Sequence, residues 1–149
     1  MKRSTFNKYT WIKLPIAKIA GIKLHYNDES KSQTQVKLGW LNQNPFKSMF
    51  WAVQGMAAEL STGVLCISKI QKSGQRISML VVGLEANFTK KAVGKIIFTC
   101  DQGAELDEVL KKAIETGEGQ TLQMKSIGID EKGDQVSEFI FNWSFKLKQ

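Results

Sequence analysis

Proline, cysteine and histidine are scarce in this chain of 149 residues, which holds two prolines, two cysteines and one histidine. So little proline, together with only 12 glycines, excludes a collagen-like chain or a flexible linker. A structural metal site needs clustered ligands, yet Cys66 and Cys100 stand far apart in the sequence. Each lies within an apolar run, so we expect two buried free thiols in a reducing compartment rather than a disulfide.

The common catalytic and cofactor-binding motifs are also missing. No G-x-S-x-G nucleophile elbow, Walker loop or G-x-G-x-x-G fingerprint occurs. The one imidazole, His25, stands beside Lys23 on the polar face of a predicted strand, where a solvated surface residue is expected. We therefore expect no metal ion and no cofactor.

Acidic residues are nearly absent from the first third of the chain. Residues 1–50 hold nine basic residues against Asp28 and Glu29, whereas the remaining 99 residues hold 12 of each sign. The net charge of +7 therefore belongs to the first third and favours an anionic partner: nucleic acid, a membrane surface or a phosphate-bearing ligand. Only two of the 21 basic residues are arginines, which argues against base-specific reading, so we expect no nucleic-acid partner. A solvated lysine-rich face without any partner remains an alternative.

Neither a secretory signal nor a transmembrane segment is predicted. Lys8, Lys13 and Lys18 interrupt each apolar segment near the start of the chain. The most apolar stretch, residues 49–68, carries Glu59 near its middle, and a carboxylate there costs about 2.5–3.5 kcal/mol on insertion into a bilayer. A helix surrounded by protein explains this composition better, and we expect a cytoplasmic protein.

Hydrophobic periodicity predicts three helical regions and six strands in a single domain that covers residues 1–149. The helical regions are 5–20 (broken at Pro15), 49–70 and 102–116; the strands are 22–27, 35–40, 77–89, 92–100, 122–130 and 136–147. One face of the third strand is predicted to carry Leu80, Val82, Leu84, Ala86 and Phe88. Short turns between strands favour an α+β fold with one antiparallel sheet. Because the helix at 49–70 is so apolar, we expect the sheet to curl around it.

One constellation indicates chemistry. Glu59 lies on the most apolar helix, where burial raises the pKa of a carboxylate into the range of a general base. Asn44 precedes that helix, and the first turn offers unpaired N–H groups that can bind an oxyanion. The alternative is a structural Glu59 that bonds to a neighbour or reaches solvent at a subunit interface.

This arrangement resembles the hotdog fold, in which a curled antiparallel sheet wraps a long central helix. The segment 44–63 resembles the thioesterase-like branch related to the phenylacetate-pathway and hydroxybenzoyl-CoA thioesterases. The resemblance implies Glu59 as base or nucleophile, with Asn44 and the backbone amide of Trp51 holding the thioester carbonyl. Many relatives carry His-Gly-Gly where this chain has Phe50-Trp51-Ala52, so bulky side chains stand where an open backbone is usual.

Two functions follow as expectations. The first is an acyl-CoA thioesterase whose N-terminal lysines contact the CoA phosphates, namely Lys8, Lys13, Lys18, Lys23, Lys37 and Lys47. The second is a non-catalytic acyl- or lipid-binding hotdog protein. In either case the long strand 77–89 exceeds the short strands of the first half, so we expect it to pair across a two-fold axis in a homodimer or a tetramer.

Overall fold

The structure is a computed structural model that describes all residues, 1–149. The helices are α1 (Arg3–Lys13), α2 (Pro15–Ile19), α3 (Trp51–Ser73) and α4 (Gly103–Thr116). The strands are β1 (Lys23–Asn27), β2 (Ser32–Lys37), β3 (Ile77–Phe88), β4 (Lys95–Cys100), β5 (Gln120–Ile129) and β6 (Gln135–Leu147). A short 3-10 turn spans Trp40–Asn42. None of the helices is long and apolar enough to cross a membrane.

The six strands form one antiparallel sheet in the order β1-β2-β4-β5-β6-β3, which confirms the predicted α+β class. The sheet curls around α3, and 27 buried side chains form one core between them. β6 supplies the largest share of aromatic packing, since Phe139, Phe141, Trp143 and Phe145 all face the helix from alternate positions. β1 and β3 are the two edges of the sheet, so β3 has one open side.

The central helix begins two residues later and ends three residues later than expected, at Ser73. Gly74 follows it, and its φ of 68° gives the left-handed cap that glycine adopts without strain. Polar contacts fix the helix against the sheet at three points. Thr34 Oγ1 donates to the carbonyl of Ala57 at 2.6 Å, and Trp143 Nε1 donates to Thr62 Oγ1 at 2.8 Å. The hydroxyls of Ser61 and Ser126 lie 2.7 Å apart. These contacts lie on either side of Glu59 and so fix the rotation of the helix that carries it.

The predicted second strand was misplaced. The strand covers Ser32–Lys37, and the expected continuation to Trp40 is instead the 3-10 turn. Asn42 holds that turn, because its side chain accepts from the amide of Gly39 at 2.8 Å and donates to the carbonyls of Ala20 and Lys37. An extended continuation would lose all three bonds, which outweighs the weak alternation of Val36, Leu38 and Trp40.

The predicted single face of the third strand was also wrong, because a β-bulge lies between Val81 and Gly83. The bulge inserts Val82, so the facing residues change parity: Val81 lies opposite Trp143 and Leu84 opposite Phe141. Leu80 lies opposite Ser144 and Val82 is the inserted residue, so neither joins the row of Leu84, Ala86 and Phe88. A similar irregularity between Leu24 and Tyr26 leaves Tyr26 exposed.

Candidate functional site

Glu59 lies in an open cleft between α3 and the β3–β6 edge of the sheet. Trp51, Gly55 and Glu59 recur every four residues and therefore share one face of the helix. The cleft has a volume of about 330 Å³ and is mostly apolar. Its other lining residues are Ala52, Met56, Val81, Leu84, Phe139 and Phe141. An acyl chain or ring is the kind of group that such a lining accepts.

The carboxylate of Glu59 is half-buried and has no hydrogen-bond or ion-pair partner in the chain. Desolvation by the surrounding apolar groups is the one cause that perturbs it, and it raises the pKa of Glu59 above the ordinary value. A cation or amide donors bound to the carboxylate would instead lower its pKa. The cleft therefore holds a carboxyl group that keeps its proton to higher pH than an exposed glutamate, which is the direction that suits a general base.

The start of α3 lies in the same cleft and offers free donors. Phe50 precedes the helix without a side-chain cap, and its carbonyl accepts from the amides of Val53 and Gln54 at 3.0 and 3.3 Å. The amides of Trp51 and Ala52 have no acceptor, and both residues line the cleft. Two unpaired N–H groups at the positive end of a 23-residue helix can stabilise an oxygen that gains negative charge.

Asn44 lies in a neighbouring pocket of about 560 Å³ rather than in the Glu59 cleft. Its side-chain oxygen accepts from the amides of Phe46 and Ser48 and from the Ser48 hydroxyl. Its Nδ2 makes one long bond of 3.4 Å, to the carbonyl of Met49. Trp51 lines both pockets. The structure thus brings Glu59 and Trp51 together in one cleft, whereas Asn44 lines only the neighbouring pocket.

Gln54 is a polar residue of this region that the sequence reasoning missed. Its side chain is buried and lines the neighbouring pocket, where Oε1 accepts from the Ser137 hydroxyl at 2.8 Å. Nε2 makes only a long bond of 3.4 Å, to the carbonyl of Met49. An amide in the first turn of an otherwise apolar helix was the available signal. The bond to Ser137 joins residues remote in sequence, so only the folded chain shows it.

The N-terminal lysines do not line the candidate site, although Lys47 stands between Phe46 and Ser48, which line the neighbouring pocket. None of the six expected phosphate ligands lines the Glu59 cleft or the neighbouring pocket. Lys18 and Lys23 instead line a depression beside β1, at the opposite edge of the sheet from β3. The cations that do line the neighbouring pocket are Lys90, which is paired with Asp130 and Asp134, and Lys91.

Both cysteines are buried free thiols, as expected. Burial raises the pKa of the Cys66 thiol and raises that of Cys100 to about 11, so both are protonated at neutral pH and are weak nucleophiles. No three His, Cys, Asp or Glu side chains converge as a set of metal ligands.

Comparison with known proteins identifies a family and similar solved structures for this chain. The family model described as a domain of unknown function (DUF4442) matches residues 2–145. No curated protein matches the chain significantly. Among solved structures, a Pseudomonas aeruginosa protein of unknown function, described as a probable thioesterase, superposes with a TM-score of 0.86 at 19% identity over 99% of this chain and 97% of that one.

Two further structures show the same arrangement. A Chlorobaculum tepidum protein of unknown function gives a TM-score of 0.84 at 13% identity, over 98% of this chain and 94% of that one. A Haemophilus influenzae thioesterase gives a TM-score of 0.74 at 12% identity, over 99% of this chain and 92% of that one. These likenesses confirm the expected hotdog fold.

Proposed function

The chain belongs to the DUF4442 family and has a hotdog fold, and from this premise we propose that it hydrolyses acyl thioesters, with an acyl-CoA as substrate. The observation that carries the proposal is the unpartnered carboxylate of Glu59 in an apolar cleft that also holds the free amides of Trp51 and Ala52. Four solved structures of this fold, at low identity, carry a thioesterase description and support the reaction class.

In the proposed reaction the acyl group occupies the Glu59 cleft and the thioester carbonyl points at the start of α3. Glu59 removes a proton from a water molecule, whose oxygen then attacks the carbonyl carbon. The amides of Trp51 and Ala52 hold the resulting oxyanion. When the tetrahedral intermediate collapses, the C–S bond breaks and the proton on Glu59 passes to the leaving thiolate. The products are the free acid and CoA.

Direct attack by Glu59 is the other route the resemblance implies. The carboxylate oxygen then bonds to the carbonyl carbon, the thiolate leaves, and water hydrolyses the mixed anhydride in a second step. The cleft is open, so water reaches Glu59 without rearrangement, which favours the general-base route. A single turnover in ¹⁸O-labelled water distinguishes the two: the anhydride route can place label in Glu59, and the general-base route places it in the product acid alone.

Asn44 and the neighbouring pocket are assigned to the thiol half of the substrate. The Nδ2 group of Asn44 is held by only one long bond, so it can donate to substrate at the boundary marked by Trp51. Lys91 lines this pocket without a salt bridge and supplies positive charge for CoA phosphates, whereas Lys90 is already paired with Asp130 and Asp134. This replaces the N-terminal lysines in that role, because none of the six lines either pocket.

Phe50-Trp51-Ala52 stands where many relatives have His-Gly-Gly, and the bulky rings of Phe50 and Trp51 favour the second candidate function, an acyl- or lipid-binding protein without catalysis. Both rings are partly exposed, at 45% and 55%, and the cleft beside them stays open. Their bulk therefore narrows the acyl site without filling it. We keep hydrolysis as the conclusion because simple binding gives no use for the unpaired amides and carboxylate.

We further propose a cytoplasmic homodimer. The open edge of β3 leaves a row of backbone groups unpaired and carries exposed Leu80, Val82 and Leu84. Pairing two such strands across a two-fold axis satisfies the backbone and covers the side chains. The two buried protonated thiols suit a reducing compartment.

The test is thiol release from short, aromatic and long acyl-CoAs by the full chain, compared with Glu59→Gln. The matched control is Glu85→Gln, the same change at an exposed carboxylate on β3 outside the cleft. General-base assistance is worth about 10²–10⁴ in rate, so Glu59→Gln should lose that much while Glu85→Gln keeps full activity. Binding of acyl-CoA without hydrolysis by the wild type would establish the second candidate instead.

A further inference from the structure

The start of the chain presents an apolar surface that nothing in the protein covers. On α1, Lys8, Trp11 and Ile12 share the face opposite the buried Phe6, and Trp11 and Ile12 are each 62% exposed. On α2, Ile16 and Ile19 are 64% and 60% exposed while Ala17 between them is buried. The exposed apolar side chains therefore point to solvent, while the buried Phe6 and Ala17 hold the two helices against the core.

The 3-10 turn extends this surface. Asn42 donates to the carbonyl of Ala20 at the end of α2, which brings the turn against that helix. Its neighbours Trp40 and Leu41 are 81% and 69% exposed, the former being the most exposed large apolar side chain of the protein. We call the combined set the N-terminal apolar surface; it comprises Trp11, Ile12, Ile16, Ile19, Trp40 and Leu41.

Cations surround this surface, and none of them forms a salt bridge. Lys8, Lys13 and Lys18 lie on α1 and α2, and Lys37 lies beside the 3-10 turn, where its carbonyl accepts from Asn42. None of the basic side chains from Lys2 to Lys47 takes part in a salt bridge. Asp28 and Glu29 are the only acidic residues before Glu59, and both belong to the β1–β2 turn.

A basic depression adjoins the surface. It has a volume of about 410 Å³, and Arg3, Lys18, Lys23 and His25 are among its lining residues, with no carboxylate among them. Lys18 joins the two features, because its Nζ lies 5.8 Å from the centre of the Trp11 ring. The site is shaped for a small anionic group next to an apolar layer.

We propose that this surface docks the protein on an anionic phospholipid bilayer, with Trp11, Ile16 and Trp40 among the groups in the interfacial layer and the lysines among the headgroups. Exposed Trp and Ile beside a lysine-rich polar face are the composition of an interfacial helix, and Trp favours the headgroup level. A second copy of this chain fits less well. If two copies met through this surface across a two-fold axis, the lysines of one copy would face the lysines of the other without a carboxylate of the same surface to pair them.

The location gives this docking a use. The carbonyl of Asn42 accepts from the amide of Phe50, the residue that precedes α3, so the 3-10 turn abuts the start of the helix that carries the Glu59 cleft. A bilayer under the N-terminal apolar surface therefore lies next to the side of the molecule on which acyl groups are expected to enter. The inference itself rests on exposure and charge and stands whether or not the chain is a hydrolase.

The test is co-sedimentation of the full chain with vesicles of phosphatidylcholine alone and with about one third phosphatidylserine. Each lysine near an anionic membrane is worth about fivefold in the partition coefficient, so Lys13→Gln with Lys18→Gln should lower binding about 25-fold. Trp11→Ser with Ile16→Ser should lower it at least about tenfold, since both side chains leave the interface. All four positions are at the surface, and a melting temperature near that of the wild type checks the fold.

Matched controls make the same changes elsewhere. Lys111→Gln with Lys112→Gln removes two exposed charges from α4, and Val93→Ser removes an exposed apolar side chain; both should bind as the wild type does. The proposal is overturned if the wild type ignores the anionic vesicles. It is also overturned if Trp11→Ser with Ile16→Ser binds normally, which identifies a generic polyanion surface. Dissociation of an oligomer by that variant, without vesicle binding by the wild type, assigns the surface to a second copy.

Discussion

Gly55 offers a way to separate the stability of α3 from the size of the Glu59 cleft. A glycine inside a helix costs about 1 kcal/mol relative to alanine. A Cβ at Gly55 would lie 3.5 Å from Phe139 Cε1 and 4.0 Å from Trp51 Cζ3, which is ordinary contact. Gly55→Ala should therefore raise the free energy of unfolding by about 1 kcal/mol and the melting temperature by about 2–4 °C. The gain comes with a methyl group placed inside the cleft.

The functional effect of this methyl group should depend on the acyl group. Gly55 lies between Trp51 and Glu59 on the face that lines the cleft, so the added carbon reduces the space for bulky substrates. We expect kcat/KM for aromatic and branched acyl-CoAs to fall about tenfold or more, while that for acetyl-CoA changes little. Thermal unfolding and thiol release on the same preparations measure the two effects.

Gly63→Ala is the matched control, since it changes the same helix where no cleft exists. Its Cβ would lie 3.8 Å from Trp143 Cζ2, again without a clash, so the gain in stability should be similar. Activity should not change for any acyl group. If Gly55→Ala and Gly63→Ala behave alike on every substrate, the cleft at Gly55 is not the acyl site. A destabilised Gly55→Ala would contradict the packing argument.

Three further outcomes follow from the geometry. Leu80→Lys with Val82→Lys should convert the dimer into a monomer in light scattering, because like charges then oppose across the β3 edge, whereas Val93→Lys should not. Lys69→Met should lower the free energy of unfolding by about 1–3 kcal/mol, because it removes the buried Nζ and its hydrogen bonds of 2.8 and 2.7 Å to Asp107. The same change at the exposed Lys72 should alter the free energy of unfolding by less than about 1 kcal/mol. Burial raises the pKa of Glu59, so the folded state is favoured while this carboxyl group is protonated. That contribution to stability is complete below the unfolded-state pKa and is lost as the pH rises through the folded-state pKa. Glu59→Gln should therefore gain in melting temperature over the wild type as pH rises from 4 to 8; a constant difference contradicts a desolvated carboxylate.

Element type and order could be predicted because the patterns are long and locally consistent. The 23-residue helix, the alternation of β6 and the amphipathic α4, which Gly117 ends, each follow one periodicity without interruption. The errors arose where a single local event resets the pattern. One inserted residue at Val82 reverses the parity of β3, and the three bonds of Asn42 stop β2 early.

The candidate site, too, could be predicted only where its residues lie on one regular element. Glu59 and the start of α3 share a helix, so their spacing in sequence already places them on one face. Asn44 lies on a loop, and its distance from Glu59 depends on side-chain bonds that no periodicity encodes. The N-terminal lysines were assigned by charge alone, and charge does not report which edge of the sheet a strand occupies.

The most direct test of the central claim compares two titrations of the same carboxylate. Selective ¹³C labelling of glutamate side chains, assigned with Glu59→Gln, gives the pKa of Glu59 in the folded protein, and the pH dependence of kcat/KM gives the pKa of the catalytic base. We predict that the two midpoints coincide, that both lie above the ordinary value for glutamate, and that activity rises with pH through them. A midpoint at or below the ordinary value, or a rate that does not follow the Glu59 signal, contradicts the assignment of Glu59 as the base.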